Sequence, residues 1–168
     1  IRLLVLDVEG LEGGGLSKLQ QVSGALARFR TSGKRVLAAG AYFTQDQYFL
    51  AAQADEVYLS PMGGVLLQGY DAYHTYLRTA LEKLKVQIHA VSIGEYKSAL
   101  EPLLRDDMSP AARQANLTWL RALWQSYTEE VEARRELQPG AVSAYVDNML
   151  ELLQRAGGDA AQLALSQG

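Results

Sequence analysis

The chain opens on a nearly continuous apolar run from Ile1 to Val8, broken by Arg2 and Asp7 and closed by Gly10 and the glycines at positions 13 to 15. A run of this kind predicts a strand buried on both faces of a parallel sheet, followed by a tight loop. Leu19, Val22, Leu26 and Phe29 then recur at helical spacing as far as Gly33, where glycine can stop a helix. Lys34 to Ala39 reads as a second strand, so the chain begins with a βαβ unit. Gln45 to Ala54 is predicted helical. Glu56 to Leu59 and Val65 to Leu67 are predicted as short strands, with Pro61-Met62-Gly63-Gly64 as the turn between them.

A helix from about Ala72 to Leu84 and a strand from Val86 to Ile93 come next, which puts His74 in a helix and His89 in a strand. Ser109-Pro110 is a cap for a long helix reaching about Glu136, with Leu117, Leu120, Trp124, Tyr127 and Val131 on one stripe. Beyond it, Val142, Val146, Met149 and Leu153 keep helical spacing, Gly157-Gly158 makes a stop, and Asp159 caps a last short helix. Strands alternating with helices predict an α/β fold with a helix-rich C-terminal half.

Composition narrows the function. With 168 residues, 48% hydrophobic and 21% charged, the chain can bury one sizeable core, so residues 1–168 are read as a single domain. Sixteen Lys and Arg are scattered among nineteen acids, leaving a net charge of -3 and no positive field for nucleic acid. Cysteine is absent, which removes disulfides and thiolate chemistry without deciding the compartment. No apolar run approaches the roughly 18–20 residues that cross a bilayer, so this piece is expected to be soluble. Its start inside an apolar run, with no initiator Met, reads as a fragment of a longer polypeptide.

The residues offer few sites by themselves. The loop Glu9 to Gly15 could bring bare N–H groups to an anion, but it lacks the spacing of a nucleotide loop, and Glu9 and Glu12 would repel phosphate. A plain tight turn is the simpler reading. His74 and His89 have no metal-ligand spacing around them, and no metal or cofactor is expected. No nucleophile elbow of the G-x-S-x-G type is present. Asp106-Asp107 reads as an acidic lead into the Ser109 cap, and Trp119, Trp124 and Tyr127 as helix packing. Lys97, at a strand-to-helix junction, would on its own count as a solvated charge.

Two stretches change the weight on Lys97. Ile93-Gly94-Glu95-Tyr96-Lys97-Ser98-Ala99-Leu100-Glu101-Pro102-Leu103-Leu104-Arg105-Asp106-Asp107-Met108-Ser109 resembles the lysine segment of the signal peptide peptidase A (protease IV) family, and Ala54 to Gly63 resembles another part of the same domain. The resemblance runs, less densely, over essentially the whole chain. It implies a crotonase/ClpP-like α/β fold with a repeated β-β-α core, here the N-terminal, lysine-bearing domain of the long two-domain type. The function it implies is that of a membrane-anchored bacterial serine peptidase with a Ser/Lys dyad, degrading cleaved signal peptides on the outer side of the cytoplasmic membrane. In that scheme Lys97 is the general base; Ser98 is a candidate for positioning its amine only because it is next to it in the chain. The serine comes from a companion domain, the substrates are signal peptides, and the assembly is a homo-oligomer with the C-terminal helices as the suspected surface.

The same resemblance marks what is missing. Where the serine-bearing domain has Ser-Gly-Gly-Tyr, this chain has Gln45-Asp46-Gln47-Tyr48, and Thr44 is one residue out of register. Gly13 and Gly14 stand where related domains have a Pro-Gly-Gly oxyanion loop, with Glu12 in place of the proline. A lysine acts as base only when neutral, so its pKa must fall from about 10.4 toward about 7–8, roughly 4 kcal/mol of environmental preference. Glu101, one turn along a helix, would pair with Lys97 and oppose that shift, unless Arg105 draws its carboxylate away. Two other classes remain: a non-catalytic scaffold of the same fold, and a crotonase-type acyl-thioester enzyme. Glu9, Glu12 and the missing basic cluster argue against a coenzyme A site.

Overall fold

The computed structural model describes residues 2–89 and 98–168. Among them the chain is mixed α/β, with a small parallel sheet and many helices. It divides into two compact units, Ile1–Gly69 with Gln125–Gly168, and Tyr70–Trp124.

The first unit contains the sheet. Strands β1 (Leu3–Leu6), β2 (Arg35–Gly40) and β3 (Glu56–Leu59) lie in the order β1-β2-β3, all parallel, joined by helices α1 (Leu16–Thr31) and α2 (Gln45–Ala51). Right-handed crossovers that progress in one direction put both helices on one face of the sheet. That face holds Val36 and Ala38, both fully buried, and in register with them Leu4, Leu6 and Val57. Leu19 and Leu26 of α1 and Phe49 and Ala51 of α2 are buried. On the opposite face Leu3 is 43% exposed, Val5 60% and Tyr58 55%. The expectation that the first strand is buried on both faces is therefore corrected: β1 is a sheet edge, and only its alternate residues point toward helices. Gly33, at φ 76, ends α1 as its position predicts, and Gly63 is needed for close approach, since a Cβ there would fall 1.8 Å from the Ala41 carbonyl oxygen.

Helix α5 (Pro110–Arg135) adds its C-terminal part to this unit, the two helices between α2 and α5 being α3 (Arg78–Lys83) and α4 (Glu101–Leu104). Tyr127 and Val131 are fully buried, and the Tyr127 ring lies 5.3 Å from that of Phe49. Gln20 of α1 reaches Ser126 at 3.0 Å, and the Ser23 hydroxyl donates to Glu130. Glu132, buried, accepts from the N–H groups of Gly140 (3.0 Å) and Val142 (2.9 Å), which starts α6 (Ala141–Asp147). Helices α7 (Met149–Arg155) and α8 (Ala160–Gln167) complete the chain, and Asp159 caps α8 through the Gln162 N–H at 2.8 Å, as its sequence predicts.

The second unit carries α3, α4 and the first part of α5. Three further expectations are corrected. The helix predicted from Ala72 begins only at Arg78, because the Leu77 N–H goes to the Pro102 carbonyl (2.7 Å) and Asp106 takes the Thr79 N–H (2.9 Å), a cap supplied from a distant loop. Residues 86–89 are not in a strand, while 90–93 lie outside the described residues. The strand predicted at Val65 to Leu67 is reduced to a single parallel bridge between Phe43 and Val65. Among the described residues, no helix is long and apolar enough to cross a membrane.

Asp55 fastens β3 to its surroundings. It accepts from the Val36 N–H at 2.9 Å and from Arg134 at 2.9 Å, while Arg134 also donates to the carbonyls of Gln53 and Ala54. Burial alone would raise the Asp55 carboxyl. The Val36 N–H and the guanidinium groups of Arg134 and Arg30 outweigh it and hold the group below its ordinary value. Its stabilising effect is complete above the unfolded-state value of about 4 and is lost as pH falls through the lower folded-state value. Asp55→Asn is expected to lower the thermal midpoint at neutral pH, with the gap to the parent closing below about pH 4. A gap constant across an acid titration would contradict this role.

Candidate functional site

The glycine loop after β1 closes against the start of α2. The Gly14 N–H donates to the Asp46 carboxylate at 3.3 Å, and a Cβ at Gly13 would stand 3.5 Å from the same oxygen. The Gln47 amide donates to the carbonyls of Glu9 (3.3 Å) and Leu11 (3.2 Å), and its oxygen accepts the Thr44 N–H (2.9 Å). Gln45 faces the other way: its oxygen accepts from the N–H groups of Gln68 (3.1 Å) and Gly69 (2.8 Å), and its amide donates to the Gly69 carbonyl (3.1 Å). The buried Tyr127 hydroxyl donates to the Gln45 carbonyl at 2.9 Å.

Residues 45, 46 and 47 thus all bond backbone groups. The Gly14 donor that could meet an external anion already holds one from its own chain, and an incoming oxyanion would have to displace Asp46 and tolerate its charge. No hydroxyl stands at the position where the resemblance puts the serine, and Gln45 there is a structural amide. The Thr44-x-x-Gln47 spacing is a capping-box signal from which Gln47 could have been read. Nothing local in the sequence links Gln45 to residues 68 and 69, which are 23 and 24 positions away.

Lys97, with Gly94, Glu95 and Tyr96, lies outside the described residues. Beyond it the chain enters a hydrogen-bonded turn, in which the Ser98 carbonyl accepts the Glu101 N–H at 3.0 Å and leads into α4. The Glu101 carboxylate accepts both the Ser109 hydroxyl (2.5 Å) and the Ser109 N–H (3.0 Å), and the Ser109 oxygen accepts the Ala112 N–H (3.1 Å), capping α5. The Ser109 hydroxyl is the main cause holding the Glu101 carboxyl below its ordinary value; burial opposes it, and the Ser109 N–H and Arg105 add to it. Arg105 pairs with Asp107 at 2.8 Å, so the group that engages Glu101 directly is Ser109 rather than Arg105.

A cavity of about 130 Å³ adjoins this turn, lined by His74, Tyr76, Ser98, Glu101, Met108 and Asn116 among others. His74 is exposed and precedes α3 rather than lying within a helix, and His89 is exposed and in no strand. A larger open groove of about 510 Å³ lies in the first unit between β3 and α8, with Val57, Leu59, Leu165, Tyr48 and Arg135 in its walls. No sequence signal pointed to it. Among the described residues no group of His, Asp or Glu is placed to hold a metal ion. Of the residues singled out from sequence, Gly13 and Gly14 come together with Asp46 in the first unit, and Ser98 with Glu101 in the second.

Gln45→Ala should destabilise the protein by about 2 kcal/mol in denaturant unfolding, given about 0.5–1.5 kcal/mol net for each hydrogen bond lost. Gln45→Ser should yield no peptide hydrolysis by this chain, because Asp46 still holds Gly14. Hydrolysis by that variant would show that the turn can be made catalytic by one hydroxyl.

The family model described as "Peptidase family S49" matches residues 28–168. A protein called "Protease 4" from Salmonella typhi is 42% identical over 162 residues, covering 96% of this chain and 26% of its own length. "Protease 4" from Haemophilus influenzae is 35% identical over 168 residues, covering all of this chain and 27% of its own length. "Serine protease SPPA, chloroplastic" from Arabidopsis thaliana is 25% identical over 95 residues, 56% of this chain and 14% of that protein. The chain spans about a quarter of the length of the two Protease 4 relatives.

Proposed function

Because the chain belongs to peptidase family S49, the signal peptide peptidase A (protease IV) family, we propose that it is the lysine-bearing part of a serine endopeptidase whose nucleophile stands in a companion domain of the same polypeptide. The observation that carries this reading is the start of α2: where the serine would be, Gln45, Asp46 and Gln47 are all hydrogen-bonded to backbone, and Gly14 is bonded to Asp46. A domain built that way has neither a nucleophile nor an open oxyanion donor at this position. Its contribution to the chemistry is then Lys97.

In the proposed reaction, the neutral Lys97 amine takes the proton of the companion serine as that oxygen attacks the peptide carbonyl. The resulting ammonium gives the proton to the departing amine nitrogen, leaving an acyl-serine. Water, deprotonated by the same amine, releases the acid and restores the enzyme. Glu101 would favour the charged amine if it were free, and its bonds to Ser109 support the base role by giving that carboxylate another partner. The fold in this reading is the repeated β-β-α core of the crotonase/ClpP type, and the three parallel strands with their two helices are compatible with one part of it. Cleaved signal peptides are the proposed substrates, with the full protein anchored in the bacterial cytoplasmic membrane, its catalytic part outside, as a homo-oligomer.

A non-catalytic scaffold is the second reading, favoured by the same closed turn at residues 45–47. Turnover separates the two. In the full-length enzyme Lys97→Ala should cost about 10²–10⁴-fold in kcat, the usual range for a general base. The isolated chain should not cleave unfolded peptides. Normal turnover by Lys97→Ala would leave the scaffold reading, and cleavage by the isolated chain would overturn the division between domains.

A further inference from the structure

The sheet has one face packed by α1 and α2 and another that neither helix reaches. Leu3 and Val5 of β1, Ala39 of β2 and Tyr58 of β3 are exposed on that second face, with Leu37 half-buried among them. The charged side chains there answer one another: Arg35 pairs with Glu56, and the Tyr58 hydroxyl donates to the same carboxylate. What remains is a neutral, mostly apolar surface. All-parallel sheets have both faces covered almost without exception, and β1, Leu-Leu-Val-Leu, carries an apolar side chain toward each side. Its composition suits a cover that α1 and α2 do not supply.

We propose that this face of the sheet is the docking surface for the companion part of the same polypeptide. This rests on the reading that the nucleophile stands in such a companion. The chain spans about a quarter of the length of the Protease 4 relatives, so in a polypeptide of their size most of the chain lies outside these 168 residues. A tethered partner meets the face at an effective concentration that a free second copy does not reach. With Arg35 and Glu56 neutralising one another, the face selects an apolar partner and offers little to a strongly charged one.

The test uses the full-length enzyme and two measurements. The chain has no cysteine, so Val5→Cys, Ala39→Cys and Gln21→Cys each give it a single thiol, the last on the solvent side of α1. Maleimide labelling, located by mass spectrometry, should be slower at positions 5 and 39 than at 21 by roughly tenfold or more, because a docked face is labelled only in its open fraction. A photoreactive phenylalanine analogue introduced at Tyr58 should then cross-link, within one polypeptide, to a peptide outside residues 1–168. Labelling at 5 and 39 as fast as at 21 overturns the proposal. So does a cross-link that joins two polypeptides, one that stays inside residues 1–168, or none at all. Turnover of Lys97→Ala, measured alongside, separates the two readings. An inactive Lys97→Ala with fast labelling at 5 and 39 refutes the docking alone, whereas a fully active Lys97→Ala with the expected cross-link refutes the base assignment and leaves the docking.

Discussion

Backbone groups at the end of the glycine loop and at residues 68 and 69 need partners, and the start of α2 supplies them from three consecutive side chains. Gln47 bonds Glu9 and Leu11, Asp46 bonds Gly14, and Gln45 bonds Gln68 and Gly69. The buried Tyr127 hydroxyl then attaches α5 to the same turn. Replacing any of these side chains with an apolar one would leave N–H or C=O groups without partners, at a cost of about 1–3 kcal/mol for each one that is buried. The loop, the helix and the segment after β3 are therefore fixed together.

That constraint divides the chemistry. In the proposed scheme the nucleophile and its oxyanion donor stand near the start of the matching helix of a companion domain, and here the side chains at residues 45–47 bond backbone groups of the fold instead. In the proposed scheme Lys97 keeps the other half of the reaction. A lone lysine is an unfavourable base at neutral pH, because the roughly 4 kcal/mol needed to neutralise it must come from its surroundings. Desolvation by a companion domain is the proposed source. A free Glu101 carboxylate would act against that shift, and its two bonds to Ser109 give it another partner.

The sequence made much of the fold legible, where the signals are local. The period of Leu19 to Phe29 runs inside α1, and the Gly33 stop, the Ser109-Pro110 cap and the Asp159 cap fall where helices end or begin. It misled where one strand or helix end depends on a distant partner. β1 looks buried on both faces because its residues are all apolar, yet a sheet that grows in one direction has helices on one face only. The start of α3 is set by Asp106 and Pro102, which no local pattern at Ala72 could reveal. That Gln45, Asp46 and Gln47 carry no hydroxyl was readable from the sequence. The bonds of Gln45 were not, since amide side chains carry no signal of what they will meet.

The protonation state of the Lys97 amine bears most directly on its proposed role. Titrating that side chain by NMR in the full-length enzyme, with lysine labelled at the carbon next to the amine, should give a midpoint of about 7–8, while the isolated chain should stay near the ordinary lysine value of about 10.4. A midpoint near 10.4 in the full-length enzyme would contradict the assignment of Lys97 as the base.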